Sequence, residues 1–419
     1  MVTQLQQARD GVVTAEVAQV AAAEGIEPEV LRESVARGHA VILCRRDRDP
    51  IGIGAGLRTK INVNIGTSAD VWDVAEEVRK AQVANELGAH VLTDLSMGGP
   101  IDEIRSKVFA VSRLTTTTVP IYQAMAEARS FTALSGDDLL DQVLRHSREG
   151  ISSLVVHAAF SRATLDQLRG AHRIMGMVSK GGSMTAVWML RNEQENPFLE
   201  RFDELCEGLV AADTVLSIGN TMRTGCIHDE MDTPMHTEME MAAQLARRAN
   251  DHGVQVIING LGGHADPRMI PAYVARYKQV TDGRPLFVAG PMPMEVSVGH
   301  DHIAACVGAS IAGGAGADFL CYITPAEHLK LPSVEEVREG IIAYRIAAHI
   351  ADTIKFGRHD ADRRLSAARM FRNWPGMFSE AIDPQTAMTK HPDVESTDCT
   401  MCGMFCPMAQ MEAFLLDHI

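Results

Sequence analysis

INVNIG, Ile61–Gly66, opens a rhythm that runs through the middle of the chain: a short, almost wholly apolar run that ends in small or polar residues, then a stretch with helical spacing. HVLTDLS (His90–Ser96), VPIYQA (Val119–Ala124), SLVVHA (Ser153–Ala158) and MGMVSKGG (Met175–Gly182) repeat it. So do TVLSIGN (Thr214–Asn220), VQVIING (Val254–Gly260), LFVAGP (Leu286–Pro291) and FLCYITP (Phe319–Pro325). Runs that do not alternate mark strands buried on both faces, because helices cover a parallel sheet above and below. Strands alternating with helices across 61–330 predict an α/β fold. A (β/α)8 TIM-type barrel is preferred to a doubly wound sheet because of the run ends. Asn62, Asn64, Asp94, Ser96, Tyr122, Gln123, His157, Ser179, Lys180, Asn220 and Asn259 would all meet at one mouth, where this fold builds its sites. Nine runs for eight places put one outside the barrel.

Outward from that core, 1–60 predicts a small, mostly helical region, with apolar residues at helical spacing around Val17–Ala23 and Val30–Val35. After the last run, Leu331-Pro332 stops the chain, and Ser333 with Glu336 forms a capping box. A helix to about Gly357 and another over Asp360–Trp374 predict a helical hairpin within 331–382. DPQTAMTKHPDVEST, 383–397, is polar and proline-containing and reads as a linker, so 383–419 is a linker plus a cysteine-rich tail.

The charge balance of 39 Lys and Arg against 54 Asp and Glu, net −15, argues against a nucleic-acid partner, which needs clustered cations. It leaves room for a small phosphorylated substrate. No run approaches 18 apolar residues, so no membrane span is expected, and the start lacks the pattern of a signal peptide. A cytoplasmic protein is the expectation.

Of the eight cysteines, Cys44, Cys206, Cys226, Cys306 and Cys321 are scattered, as buried small hydrophobes usually are. Cys399, Cys402 and Cys406 are not: Cys399-Thr-Met-Cys402-Gly-Met-Phe-Cys406-Pro407 places three thiols on one short loop. Three thiolates can hold a [4Fe–4S] cluster with one iron left open to S-adenosylmethionine, whose sulfonium one electron cleaves to a 5′-deoxyadenosyl radical. A structural zinc is the competing reading. It needs a fourth ligand, and the nearest histidines, His391 and His418, stand at no usual ligand spacing.

VNIG (Val63–Gly66), DLSMGG (Asp94–Gly99), TVPIYQA (Thr118–Ala124), SKGGS (Ser179–Ser183), ENP (Glu195–Pro197), YITPAEHLKLP (Tyr322–Pro332) and the cysteine trio, in that order, resemble the ThiC family of noncanonical radical S-adenosylmethionine enzymes. The family comprises phosphomethylpyrimidine synthase and 5-hydroxybenzimidazole synthase. The resemblance implies a (β/α)8 barrel acting on 5-aminoimidazole ribotide, with a low-potential electron donor. It also implies a homodimer in which the cluster tail reaches the partner's active site. By the same resemblance Asn64, Tyr122, His157, Ser179, Lys180, Gly181, Asn220, Arg223 and Asn259 match substrate-contacting positions. His264 and His328 match two ligands of a divalent metal, zinc or iron. The residues agree on one point unaided: Ser179-Lys180-Gly181-Gly182 offers backbone N–H groups and an ammonium, a reasonable phosphate cradle.

The chain departs from the pyrimidine synthases in several places. They carry DGLRPG where Asn220-Thr-Met-Arg223-Thr-Gly225 stands, and EGPGH where Asn259-Gly-Leu-Gly-Gly-His264 stands with one extra residue. A usual active-site tyrosine is Phe287, and the second cysteine spacing is shorter by one. Amides cannot take up a proton as carboxylates do. With all three changes expected at the mouth, the leading expectation is a lyase that keeps the substrate and the radical but makes 5-hydroxybenzimidazole, a cobamide lower ligand. Phosphomethylpyrimidine synthase, in thiamine biosynthesis, is the alternative. A zinc-dependent barrel lyase or hydrolase with a structural zinc tail is a reading of another class, and an electron-transfer or binding protein with a vestigial barrel a third.

Overall fold

A computed structural model describes residues 2–45, 48–128, 130, 132–357, 359–391 and 399–416. Met1–Asp352 and Thr353–Ile419 are two compact units, and the boundary between them falls inside the long helix Val334–Phe356.

In the first unit, eight strands close into a parallel barrel, as expected. After a hairpin of β1 (Ala40–Arg45) and β2 (Arg48–Gly54) come β3 (Lys60–Ile65), β4 (Val91–Asp94), β5 (Thr115–Thr118) and β6 (Ser153–Val156). The barrel is completed by β7 (Val215–Ile218), β8 (Val256–His264), β9 (Leu286–Met292) and β10 (Phe319–Cys321), with β10 pairing back onto β3. The strands are buried and almost continuously apolar or β-branched, and helices pack around them.

Two runs read as strands are something else. Met175–Gly182 is the run outside the barrel: an irregular loop carrying exposed Ile174 and Met175 leads into the helix Lys180–Asn192. Val119–Ala124 mostly forms the first turns of the helix Pro120–Ala128, and the strand is the Thr115–Thr118 run before it. Four threonines look polar, yet their branched Cβ suits a strand, and all four are buried.

The N-terminal region holds the expected helices, Gln4–Arg9, Ala15–Glu24 and Pro28–Ala36, and also the unexpected hairpin. Its strand residues alternate between two cores. Ala40 and Ile42 pack on Val17, Val20, Leu31 and Val35 of the helices. Val41, Leu43 and Ile53 pack on Val91, Val215, Ile257 and Phe319 at the strand starts, closing the N-terminal end of the barrel. The side-chain amide of Gln255 ties the hairpin in place by accepting from Ile42 N–H and donating to Ile42 C=O, at 2.7 and 3.1 Å.

The capping box forms as expected, with Ser333 N–H and Oγ both donating to Glu336. In the second unit, helices Asp360–Met370 and Trp374–Ser379 are followed by Pro384–Lys390, a helix where a linker was expected. Residues 392–397 of that stretch, and His418, lie outside the described residues. A 3-10 turn Gly403–Phe405 and a helix Pro407–Leu416 carry the tail. No helix among the described residues is long and apolar enough to cross a membrane.

Candidate active site

His157 follows β6 and is the hub of the barrel mouth. Its Nε2 lies 3.1 Å from Ser179 Oγ, while its Nδ1 is buried with no partner among the described residues. Two glycines give the ring its space. A Cβ on Gly181 would stand 2.3 Å from His157 Cε1, and one on Gly219 would stand 2.7 Å from Cδ2. Burial, with the Arg223 guanidinium nearby, drives the imidazole down to about 3, so it is neutral near pH 7.

Ser179 caps the helix Lys180–Asn192, accepting from Gly182 N–H at 3.2 Å. The N-terminus of that 13-residue helix therefore faces the same space as His157. Tyr122 meets Gly181 from the other side, its hydroxyl bonded to the Gly181 backbone, with Lys180 Nζ 5.5 Å from the centre of its ring. Burial holds the phenol protonated, pushed up to about 12. Arg223 completes the group. Among the described residues its hydrogen bonds are long, 3.4 Å each to Asn220 O and Val178 O, and its Nε has no partner. A guanidinium so loosely held is ready for an anion.

Asn64, in β3, donates to Cys321 Sγ at 3.0 Å and accepts from Asn62 at 2.7 Å. Asn259, in β8, accepts from the Ser217 hydroxyl inside the barrel. The amide nitrogen of Asn220 donates to Glu238 at 2.9 Å and to the Tyr277 hydroxyl at 3.2 Å, while its buried Oδ1 has no partner among the described residues. Glu238 also takes the backbone N–H groups of Thr221 and Met222, and burial pushes its carboxyl up to about 7. It fixes the turn from which Arg223 projects, and nothing in its helical sequence context announces that role. Phe287 is not at the mouth: it packs on Phe319, ring centroids 4.4 Å apart, in the cluster against the hairpin.

The extra residue in Asn259–His264 is absorbed as irregular register between β8 and β9, with Gly263 at φ +73°. A Cβ on Gly263 would stand 2.4 Å from Thr224 O. That distortion brings His264, the last residue of β8, to His328: the two Nε2 atoms are 3.2 Å apart. Each Nδ1 faces a carboxylate, Glu295 at 2.8 Å from His264 and Asp301 at 2.9 Å from His328. A carboxylate only accepts, so the His328 Nδ1 bonded to Asp301 carries the proton and turns its Nε2 lone pair toward His264, whose Nδ1 lies close to Glu295 without a hydrogen bond to it. A cation beside the two Nε2 atoms would be held by both rings. Tetrahedral ligands at about 2.0–2.1 Å would lie about 3.3 Å from one another, close to what is seen. The pair fits a metal with two open positions.

The three tail cysteines are free thiols, with Cys399 half-buried, Cys402 exposed and Cys406 buried. Backbone bonds turn the chain between them, Gly403 N–H to Cys399 O and Phe405 N–H to Cys402 O. The donor set suits an iron–sulfur cluster with an open iron. Among the described residues no three Cys, His, Asp or Glu side chains are gathered closely enough to hold a metal unaided.

Residues 3–413 match the model of the Radical SAM ThiC family. The chain belongs to that family. It is 41% identical to phosphomethylpyrimidine synthase of Geobacter metallireducens, across 98% of this chain and 97% of that protein. The enzyme of the same name from Archaeoglobus fulgidus is 41% identical across 99% and 100%. That of Pyrobaculum aerophilum is 42% identical across 97% of each. Membership in a radical S-adenosylmethionine family carries with it that cofactor and an iron–sulfur cluster.

Proposed function

We propose that this ThiC-family enzyme is a phosphomethylpyrimidine synthase acting on 5-aminoimidazole ribotide. The observation that carries the reading is the group at the mouth: neutral His157 with an unsatisfied Nδ1, beside a loosely held Arg223 and the open N-terminus of Lys180–Asn192. Lys180, the N–H groups of Gly181 and Gly182, and Arg223 would take the phosphate. His157, Tyr122 and Asn64 would hold the imidazole and ribose. As a neutral imidazole, His157 would offer its free Nδ1 to the substrate as a hydrogen-bonding group. His264 and His328 would hold a zinc or iron ion, supplying a Lewis acid beside the substrate. Cys399, Cys402 and Cys406 would hold a [4Fe–4S] cluster, which when bound supplies the electron that cleaves S-adenosylmethionine to methionine and a 5′-deoxyadenosyl radical.

The full-length relatives support the pyrimidine product. Of the three changes that favoured a benzimidazole, Phe287 lies toward the closed end of the barrel and the Asn220 amide nitrogen is taken by Glu238 and Tyr277. Asn259, an amide inside the barrel, is the one observation that still favours 5-hydroxybenzimidazole as a second reading. Anaerobically reconstituted protein, given 5-aminoimidazole ribotide, S-adenosylmethionine and a reductant, is expected to yield a phosphorylated hydroxymethylpyrimidine. A fluorescent, phosphate-free benzimidazole would overturn this in favour of the second reading. Iron and sulfide analysis of the same sample tests the cluster: zinc alone, without either, would remove the radical chemistry.

A further inference from the structure

The geometry points to Glu295 and Asp301 as the positioning residues of the histidine pair: Asp301 sets the tautomer and aim of His328, while Glu295 sets its charge beside His264 Nδ1 and joins the pair to the Arg223 turn. The inference rests on reading His264 and His328 as metal ligands.

Asp301 is built for the task. It is 1% exposed at the start of the helix Asp301–Gly314, accepts from Ser297 Oγ at 3.3 Å, and presents its other oxygen to His328 Nδ1. A buried carboxylate persists only where its partners are fixed, and here the imidazole N–H is one of them. Glu295 works from the opposite side. Oε2 stands 2.8 Å from His264 Nδ1, while Oε1 accepts the backbone N–H of Ile227 at 2.8 Å. Ile227 lies four residues beyond Arg223, on the same connection after β7. One side chain therefore spans from the metal ligand on β8 to the segment that presents the guanidinium.

The chemistry of the pairs is specific. With Nδ1 donating to Asp301, His328 must ligate through Nε2, and the carboxylate beside His264 Nδ1 favours the same choice there; an amide in place of either offers a donor as readily as an acceptor. The ring can then hold its proton on Nε2, the tautomer in which that nitrogen cannot bind a metal. Loss of such an outer partner costs about 10–100-fold in metal affinity.

The test is cobalt(II) titration of the anaerobic full-length chain, read from the visible d–d band. Cobalt on histidines lacks the intense sulfur-to-metal charge transfer of cobalt on the tail cysteines, so the two sites separate in one spectrum. The histidine-type band is expected in the unmutated chain and absent in His328→Ala. Glu295→Gln and Asp301→Asn should each need about 10–100-fold more cobalt, with metal-free thermal midpoints within a few degrees of the unmutated chain. Unmutated affinity in both amide variants, with His328→Ala still blank, overturns the inference and leaves the metal site standing. No histidine-type band in the unmutated chain overturns both.

Discussion

At Arg223 the loose hold of the protein has a measurable consequence. Because its contacts are both 3.4 Å long, Arg223→Lys gives up little folding energy but loses the planar fork that grips an anion. Substrate affinity should fall about 10-fold or more while the thermal midpoint moves by no more than a few degrees, measured by KM and by calorimetry. Gly181 is the opposite case. A methyl there collides with the His157 ring, so Gly181→Ala should cost about 1–3 kcal/mol in urea unfolding and remove most activity, by turning the ring off its Ser179 contact. The helix start at Ser179-Lys180-Gly181 was legible because capping chemistry is local in sequence. Glu238, which fixes the Arg223 turn, was not: a buried glutamate in an amphipathic helix looks like any solvated one until its partners fold around it.

The elements show the same divide between local and non-local signals. Eight of the barrel's nine candidate runs lay at or beside a strand because parallel strands bury both faces and leave continuous apolar runs. Met175–Gly182 has that composition without that burial. The hairpin Ala40–Gly54 was hidden in a region read as helical, since AVILC fits a buried strand or a buried helix equally. The helix Val74–Glu86 holds a feature with a sharp prediction. Lys80 and Glu77 form an ion pair at 2.7 Å, each 1% exposed, and Glu77 also accepts the N–H of Gly66 at the end of β3. Lys80→Met leaves a buried carboxylate without its counter-charge, and should cost about 3–5 kcal/mol in urea unfolding. Replacing both, Glu77→Gln with Lys80→Met, should recover part of that loss.

For the whole molecule, buried titratable groups set the pH response. His90, His146 and His157 are all held down to about 3 by burial, against an ordinary 6.5. Below 6.5 the unfolded chain takes up protons that the folded one refuses, so these three lower stability as pH falls toward 3. The slope reaches about 4 kcal/mol per pH unit for the three together. Glu238, pushed up to about 7, and Asp213, pushed up to about 6, act the other way: the stability they contribute is lost as pH rises from their ordinary 4.5 and 3.8. The two carboxyls offset about two of the three histidines between about 4.5 and 6, Asp213 still offsets one down to about 3.8, and below that neither carboxyl opposes them. Urea midpoints should therefore change gently from pH 6.5 to 5 and fall steeply below about 4.5. The hairpin at the closed end of the barrel matters here in another way. A chain shortened to begin at Lys60 would keep all eight strands and every candidate site residue. Its barrel would nonetheless be an open tube with Val91, Val215, Ile257 and Phe319 bared to water, and it would fail by clumping in the cell before any chemistry could be asked of it.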